Sequence, residues 1–258
     1  MRSTLWLTTL ALMLAPEIAS AQGHDRNAMV RDDRDAFQKS KDWVYNDLAA
    51  GIKLARAENK PLLIVFRCIP CEACQKFDDD VARRDPIIRD LLDKFVCVRI
   101  IQANTIDLDH FRYDFDQSFA VILANADLTV YGRYGTRSDR REEEDISLQG
   151  LREAMRGALQ LHEHFDAIKD ALKGKQVTPT EYKTPLDYPS AAGRFSASLD
   201  YENQVARSCM HCHQVREAER QVYRDAGEPF PDEVLYPYPD PETLGLKLDP
   251  RATALVET

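Results

Sequence analysis

Three cysteines, Cys68, Cys71 and Cys74, stand three residues apart in the stretch FRCIPCEACQKFD, residues 66–78. Thiolates exchange disulfides and bind soft metals, so this spacing admits either a redox pair or a metal site. An apolar run that predicts a buried strand ends just before the cluster, and a helical pattern follows it. The positive end of a helix dipole favours the thiolate of a cysteine at such a junction. The pattern therefore favours Cys71 as nucleophile and Cys74, one helical turn later, as its resolving partner.

The sequence leaves the role of Cys68 open. It is either a second disulfide partner for Cys71 or, with Cys71 and Cys74, a third ligand for a soft metal such as Cu(I). The same spacing occurs in iron–sulfur ligation, which an oxidising compartment disfavours. Cys97 alternates within an apolar strand and is interpreted as a small core residue. These four cysteines allow three pairings, which the sequence alone does not resolve.

A second motif, SCMHCHQ at residues 208–214, contains Cys209, Cys212 and His213 in a C-x-x-C-H pattern. This is the attachment sequence of c-type haem. The two thiols add to the vinyl groups of the porphyrin, and the adjacent histidine ligates the iron. A plain disulfide or half of a zinc site is the alternative, but the other C-x-x-C lies too far upstream for a zinc knuckle. The motif predicts covalent haem c with His213 as the proximal iron ligand.

A sixth iron ligand is not evident after the motif, because residues 214–258 contain neither methionine nor histidine. The amphipathic pattern of residues 145–174 places Met155 and His162 on one apolar stripe. A histidine on such a stripe is more often a hydrogen-bonded core residue, but His162 is the best candidate for the distal ligand, with Met155 behind it. If His162 ligates the iron, the haem lies against the domain that carries the first cysteine cluster, and electron exchange between the two becomes plausible.

The first 21 residues predict a cleavable signal peptide. Arg2 precedes an apolar run of about ten residues, which is shorter than a membrane span needs, and a small-x-small cleavage site follows at residues 19–21. No later segment is long enough to span a bilayer. We therefore expect export to the periplasm or another extracytoplasmic compartment, where disulfides and covalent haem can form. We also expect no membrane span after cleavage.

The charge of the chain excludes one class of partner. Its formal net charge is −9, and no long run of lysine or arginine occurs anywhere in it. A nucleic-acid-binding protein depends on basic residues that neutralise phosphates, and these are lacking here. We therefore expect protein partners rather than nucleic acid.

The pattern from residue 43 to residue 174 predicts an α/β domain. The predicted order is helix, strand, helix, strand, strand, strand and helix, which gives an α/β sandwich around one small mixed sheet. The strands are expected at residues 61–66, 96–101, 119–124 and 128–135. The last helix is long and amphipathic and is expected to end at Gly174.

Trp43, the helix after it, the run KPLLIVF and a C-x-x-C that opens a helix together resemble the thioredoxin superfamily. The resemblance extends over roughly residues 43–172. It implies a three-layer thioredoxin-like sandwich and thiol–disulfide oxidoreductase activity, in which Cys71 attacks a disulfide and Cys74 resolves the intermediate. Redox proteins or disulfide-containing substrates are the partners that it implies.

Five segments follow from these patterns, in the order signal peptide, loose lead-in, thioredoxin-like domain, mostly helical and extended c-type haem segment, and tail. Their ranges are 1–21, 22–42, 43–174, 175–240 and 241–258. The tail contains a G-L-x-L stretch that resembles the start of a PDZ domain. It ends before such a domain could be completed.

Three functions remain open. The favoured one is an exported thioredoxin-like protein with covalent haem that acts in thiol–disulfide redox chemistry or electron transfer. The second is a haem-binding electron carrier or sensor whose thioredoxin-like part is a non-catalytic scaffold. The third is a copper-handling protein that binds Cu(I) through Cys68, Cys71 and Cys74.

Overall fold

The computed structural model describes residues 25–71, 74–111, 115–117, 119–136, 146–175, 179–235, 247–248 and 255–257. The predicted signal peptide and most of the PDZ-like tail lie outside these residues. Two short strands of the tail are described, and they pair with each other in antiparallel orientation.

Five strands form one mixed sheet in the order β1-β3-β2-β4-β5. Strand β3 runs parallel to both β1 and β2, whereas β4 is antiparallel to β2 and β5 is antiparallel to β4. Strand β1 was not predicted, because three residues are too few to show a pattern. The bounds are β1 Trp43–Tyr45, β2 Leu62–Arg67, β3 Val96–Ile100, β4 Phe119–Ala124 and β5 Val130–Thr136.

Nine α-helices are described. They are α1 Arg26–Phe37, α2 Leu48–Glu58, α3 Gln75–Ala82, α4 Arg89–Leu92, α5 Leu148–Glu163, α6 Phe165–Ile168, α7 Val205–Ser208, α8 Cys212–Ala226 and α9 Asp232–Leu235. Among the described residues, no helix is both long and apolar enough to cross a bilayer.

The helices cover both faces of the sheet. Leu63 and Val65 of β2 pack in one cluster with helices α3, α4 and α5, whereas Leu62, Ile64 and Phe66 pack in another with α2 and α8. Successive side chains of a strand point to opposite faces, so a strand apolar at every position has a helical layer on each side. This arrangement confirms the predicted α/β three-layer, thioredoxin-like sandwich.

The predicted lead-in is not loose. Helix α1 occupies most of it and buries Val30. Asp33 of the same helix forms an ion pair with the buried Arg99, with a nitrogen–oxygen distance of 2.6 Å. Arg31 donates to main-chain carbonyls of the C-terminal segment. The prediction was wrong because the partners of these charged residues lie far along the chain, where a local pattern does not show them.

The boundary predicted near residue 175 does not separate two hydrophobic cores. Tyr188, Met210 and Val215 are buried in the same cluster as the β2 residues that face α2 and α8. The segment predicted as a separate haem-binding unit is therefore part of the third layer of the sandwich.

The long predicted helix is shorter than expected. It was expected to end at Gly174, but it is interrupted after Glu163 and continues as α6 and a 3₁₀ turn, Lys173–Lys175. Helix α4 begins only at Arg89, because the Asp85 carboxylate accepts from the Ile87 N–H and stabilises a turn before it.

Candidate redox site

Cys68 and Cys71 stand at the two ends of a tight turn that follows β2. The N–H of Cys71 donates to the carbonyl of Cys68 at 3.0 Å, which is the bond that closes a β-turn. The ends of a β-turn lie within about 7 Å of each other, close to the range of Cα separations that a disulfide spans. Both cysteines are half-buried, so the turn also allows substrate access. The sequence left two roles open for Cys68. The geometry of this turn supports one of them, that of disulfide partner to Cys71.

A buried arginine holds this turn. The Arg67 guanidinium donates to the carbonyls of Cys68 and Cys71, each at 2.6 Å. Its Nε also lies 3.2 Å from a carboxylate oxygen of Asp78 in α3, and its side chain is only 1% exposed. The sequence does not single out Arg67, because a charged residue at the end of an apolar strand more often lies at the surface.

The ion pair of Arg67 belongs to a larger buried network. Arg99 of β3 donates to both carboxylate oxygens of Asp78, at 2.7 and 2.8 Å, and also to Asp33. Burial alone would lower the pKa of Arg99, but the hydrogen bonds and charges of these two carboxylates raise it. The network connects α1, the sheet, α3 and the cysteine turn. Buried charges of this kind are tolerated because each has a partner.

Cys74 occupies a different environment from the turn. It is fully buried among apolar side chains on the α3 side of the sheet and is the N-cap residue of α3. Its backbone is left-handed, with φ 61° and ψ 13°. The helix dipole therefore acts at Cys74 rather than at Cys71, contrary to the expected position of the helix start. The disulfide between Cys71 and Cys74 stays a prediction.

The C-x-x-C-H motif lies directly against the turn. The sulfur of Cys68 is 3.2 Å from Nδ1 of His211, a residue 143 positions later in the chain. Cys68, His211 and Cys212 line one narrow cleft of about 10 Å³ between the end of β2 and the start of α8. A cleft of that size holds about one water molecule. The structure thus brings together two motifs whose proximity the sequence alone did not reveal.

The contact between Cys68 and His211 is one between neutral groups at neutral pH. Burial, followed by the nearby Cys71 and Cys212, raises the pKa of the Cys68 thiol to about 12. Burial lowers the pKa of His211 to about 4, with His213 as a second cause. Neither group is charged between these values, so the contact is a hydrogen bond between a neutral thiol and a neutral imidazole, and the His211 tautomer determines which of them donates.

One buried asparagine fixes the motif to the sheet. The Asn104 amide donates to the carbonyls of Ser196 and Ser208, at 2.7 and 2.9 Å, and accepts from the Met210 N–H at 2.7 Å. The N–H of Ala103 donates to the carbonyl of Met210 at 2.9 Å. These bonds position the start of α8 over the cysteine turn. The sequence does not indicate Asn104 either, because no pattern in the neighbouring residues distinguishes it.

The side chains of the C-x-x-C-H motif lie in different surroundings. Cys209 is 2% exposed, and its sulfur lies 3.2 Å from the carbonyl of Ile101. Cys212 lines the narrow cleft, while His213 is exposed and stacks on His211 with 5.8 Å between ring centroids. Both thiols would have to reach one porphyrin edge. Covalent attachment would therefore require Cys209 to leave its buried position.

The structure does not bring His162 to the motif. Its Nδ1 lies 2.9 Å from the Tyr131 hydroxyl and its Nε2 lies 3.4 Å from the carbonyl of Asn59. Helix α5, which carries both His162 and the buried Met155, covers the face of the sheet opposite to α8. The expectation of a distal ligand from α5 is corrected on this ground, since helical periodicity does not say which face of the sheet a helix covers.

The three cysteines of the first cluster do not converge on one point. No disulfide joins any of the six cysteines in the structure. Cys97 is buried in β3, as its pattern predicts. Cys68 and Cys71 lie on the turn, whereas Cys74 lies in the apolar cluster. No group of three or more histidine, cysteine, aspartate or glutamate side chains among the described residues is arranged to hold a metal ion.

A comparison with protein families agrees with the fold. Residues 43–126 match a family model described as thioredoxin-like. The match includes strands β1 to β4 and the cysteine turn, and it ends before α5 and the C-x-x-C-H motif. Together with the mixed sheet between two helical layers, it supports a thioredoxin-like domain over these residues. No curated protein and no solved structure matches the chain at a significant level.

Proposed function

We propose that this protein is a thiol–disulfide redox protein that works outside the cytoplasm and attacks its substrates through Cys71. The thioredoxin-like domain supports this class of chemistry. The observation that carries the proposal is the turn at the end of β2, on which Cys68 and Cys71 are half-buried and held by Arg67. Substrate cysteines can reach such a turn, whereas the apolar surroundings of Cys74 exclude them.

The reaction needs only thiols and a substrate disulfide. The Cys71 thiolate attacks one sulfur of the substrate disulfide, forms a mixed disulfide and releases the other sulfur as a thiolate that takes up a proton. A second thiol of this protein then attacks the Cys71 sulfur and releases the remaining substrate thiol. Two electrons have passed to the substrate, and an internal disulfide remains. Cys74 is the predicted resolving thiol. Because Cys68 lies on the same turn as Cys71, it is a second candidate for this role.

Trapping the mixed disulfide tests this proposal. The double variant Cys68→Ser/Cys74→Ser lacks both resolving thiols, so it should retain a small disulfide-containing protein covalently on Cys71. The matched control adds Cys71→Ser to the same background and should retain none. Intact mass spectrometry under non-reducing conditions measures both. Equal capture by the two variants, or capture by neither, would contradict a nucleophilic role for Cys71.

Covalent haem is the second candidate, with Cys209 and Cys212 as thioether ligands and His213 as the proximal ligand. The C-x-x-C-H spacing and the exposed position of His213 in the first turn of α8 favour it. When bound, haem would supply one-electron transfer, and the protein would act as an electron carrier or sensor. The mass of protein exported from a host with haem-attachment machinery tests this candidate. A gain of one haem supports it, and the mass of the bare chain rejects it.

A further inference from the structure

We propose that Cys209 and Cys212 form a second dithiol that reduces the disulfide of the cysteine turn, through a transient disulfide between Cys68 and Cys212. This rests on the proposed function, since it supplies the electrons that the turn passes to substrates. In this proposal the C-x-x-C-H motif acts as an electron donor and needs no cofactor.

The first support is the way in which the two motifs meet. Cys68 and Cys212 line the same narrow cleft. The Cys68 sulfur points across it to the ring of His211, the residue that immediately precedes Cys212. Cys212 is close enough to raise the pKa of the Cys68 thiol. Asn104 and the core residues of α8 hold the segment in this position.

The second support is the difference between the two thiols of the motif. Cys212 is half-buried and is the first residue of a helix of 15 residues, where the helix dipole favours a thiolate. Cys209 is buried behind it, against the carbonyl of Ile101. An accessible attacking thiol with a buried partner three residues away is the arrangement that a redox pair requires.

The exchange balances in two steps. The thiolate of Cys212 attacks the Cys68 sulfur of the turn disulfide and forms the bond between Cys68 and Cys212. Cys71 leaves as a thiolate and takes up a proton. Cys209 then loses its proton and attacks the Cys212 sulfur, which releases Cys68 as a thiolate that is protonated in turn. The turn has gained two electrons, and the motif has become a disulfide.

Counting electrons tests the proposal on the exported full chain. The fully reduced wild type should reduce two equivalents of an excess of a small protein disulfide, one from each dithiol. The variant Cys212→Ser should reduce one equivalent, and so should Cys209→Ser/Cys212→Ser. Circular dichroism melting of each variant confirms that it is folded. One equivalent from the folded wild type would overturn the relay but leave the proposed function intact, whereas none would contradict the proposed function itself.

The intermediate can also be trapped. In Cys71→Ser/Cys209→Ser, oxidised glutathione should join Cys68 to Cys212 in most molecules, and a non-reducing peptide map should show the cross-link. The matched control Cys71→Ser/Cys212→Ser keeps Cys68 and Cys209 and should show less than about a tenth as much. Cross-linking that is equal in the two variants, or absent from both, would overturn the assignment of Cys212. A haem on the exported chain would overturn it as well.

Discussion

A single buried arginine determines the shape of the turn that carries the two accessible cysteines of the first cluster. Arg67 uses its guanidinium for both turn carbonyls and for the Asp78 carboxylate at once. Arginine suits this position because its planar fork carries several donors in fixed directions. A lysine, with one point charge, would not reach all three acceptors.

Replacing Arg67 should lower the stability of the protein. We expect Arg67→Met to lower the free energy of unfolding by about 3 kcal/mol, because it removes one partner from a buried ion pair. Urea denaturation measures this change. Arg156→Met, which removes an exposed ion pair with Glu153, is the control and should cost less than about 1 kcal/mol. A loss below about 1 kcal/mol for Arg67→Met would contradict the role given to this residue.

His211 should make the protein sensitive to acid. Burial, followed by the nearby His213, lowers its pKa to about 4, from 6.5 for an exposed histidine. The unfolded chain therefore binds a proton in this range that the folded protein does not, and stability falls as the pH drops from about 6.5 to about 4. The full effect is on the order of 3 kcal/mol.

Two measurements check this prediction. In an NMR titration, the ring of His211 should change protonation near pH 4. In urea denaturation, His211→Gln should lose less stability than wild type between pH 7 and pH 4, because glutamine does not titrate. A ring that titrates near 6.5, or an unchanged pH dependence in the variant, would show that His211 is not held neutral by burial.

At the scale of elements, the hydrogen bonds of one residue, Asn104, attach the C-terminal segment to the sheet. Asn104 satisfies two carbonyls and one N–H of that segment while fully buried. We expect Asn104→Ala to lower the free energy of unfolding by about 2 kcal/mol, because it leaves the buried Met210 N–H and two part-buried carbonyls without this partner. It should also expose Cys209 to iodoacetamide at least about tenfold faster than in wild type. Thermal denaturation and mass spectrometry of alkylated peptides measure the two effects.

Asn125→Ala is the control for Asn104→Ala. Asn125 is also buried, and its side chain accepts from main-chain N–H groups of its own turn rather than of the C-terminal segment. Asn125→Ala should therefore lower stability without changing the rate at which iodoacetamide labels Cys209. If iodoacetamide labelled Cys209 equally fast in both variants, the role of Asn104 in attaching the C-terminal segment would be rejected.

Strands and helices could be predicted where a pattern in the neighbouring residues is sufficient to specify them. Strands β2, β3 and β4 are short and continuously apolar, and each was placed within a residue or two of its observed bounds. Helix α1 was missed, because its stabilising partners, Arg99 and the main chain of the C-terminal segment, lie far away in sequence. The contact of Cys68 with His211 could not be foreseen either, since it depends on which face of the sheet α8 covers.

At the scale of the whole molecule, the described residues between 25 and 235 form one unit rather than two. The C-terminal segment adds to the core that the sheet forms with α2, and the buried ion network connects α1 to α3. We therefore expect one cooperative unfolding transition. Far-ultraviolet circular dichroism and the fluorescence of Trp43, which is buried, should give the same midpoint. Two transitions separated by more than about 0.5 M urea would contradict a shared core.

The most direct test of the central claim is the steady-state reduction of a protein disulfide such as that of insulin, with a chemical thiol as electron donor. Wild type and the matched control Cys97→Ala, which changes a cysteine buried in the sheet, should turn over at similar rates. Cys71→Ser should be at least about a hundredfold slower, because it removes the attacking sulfur. A folded Cys71→Ser variant that turned over as fast as wild type would contradict the account.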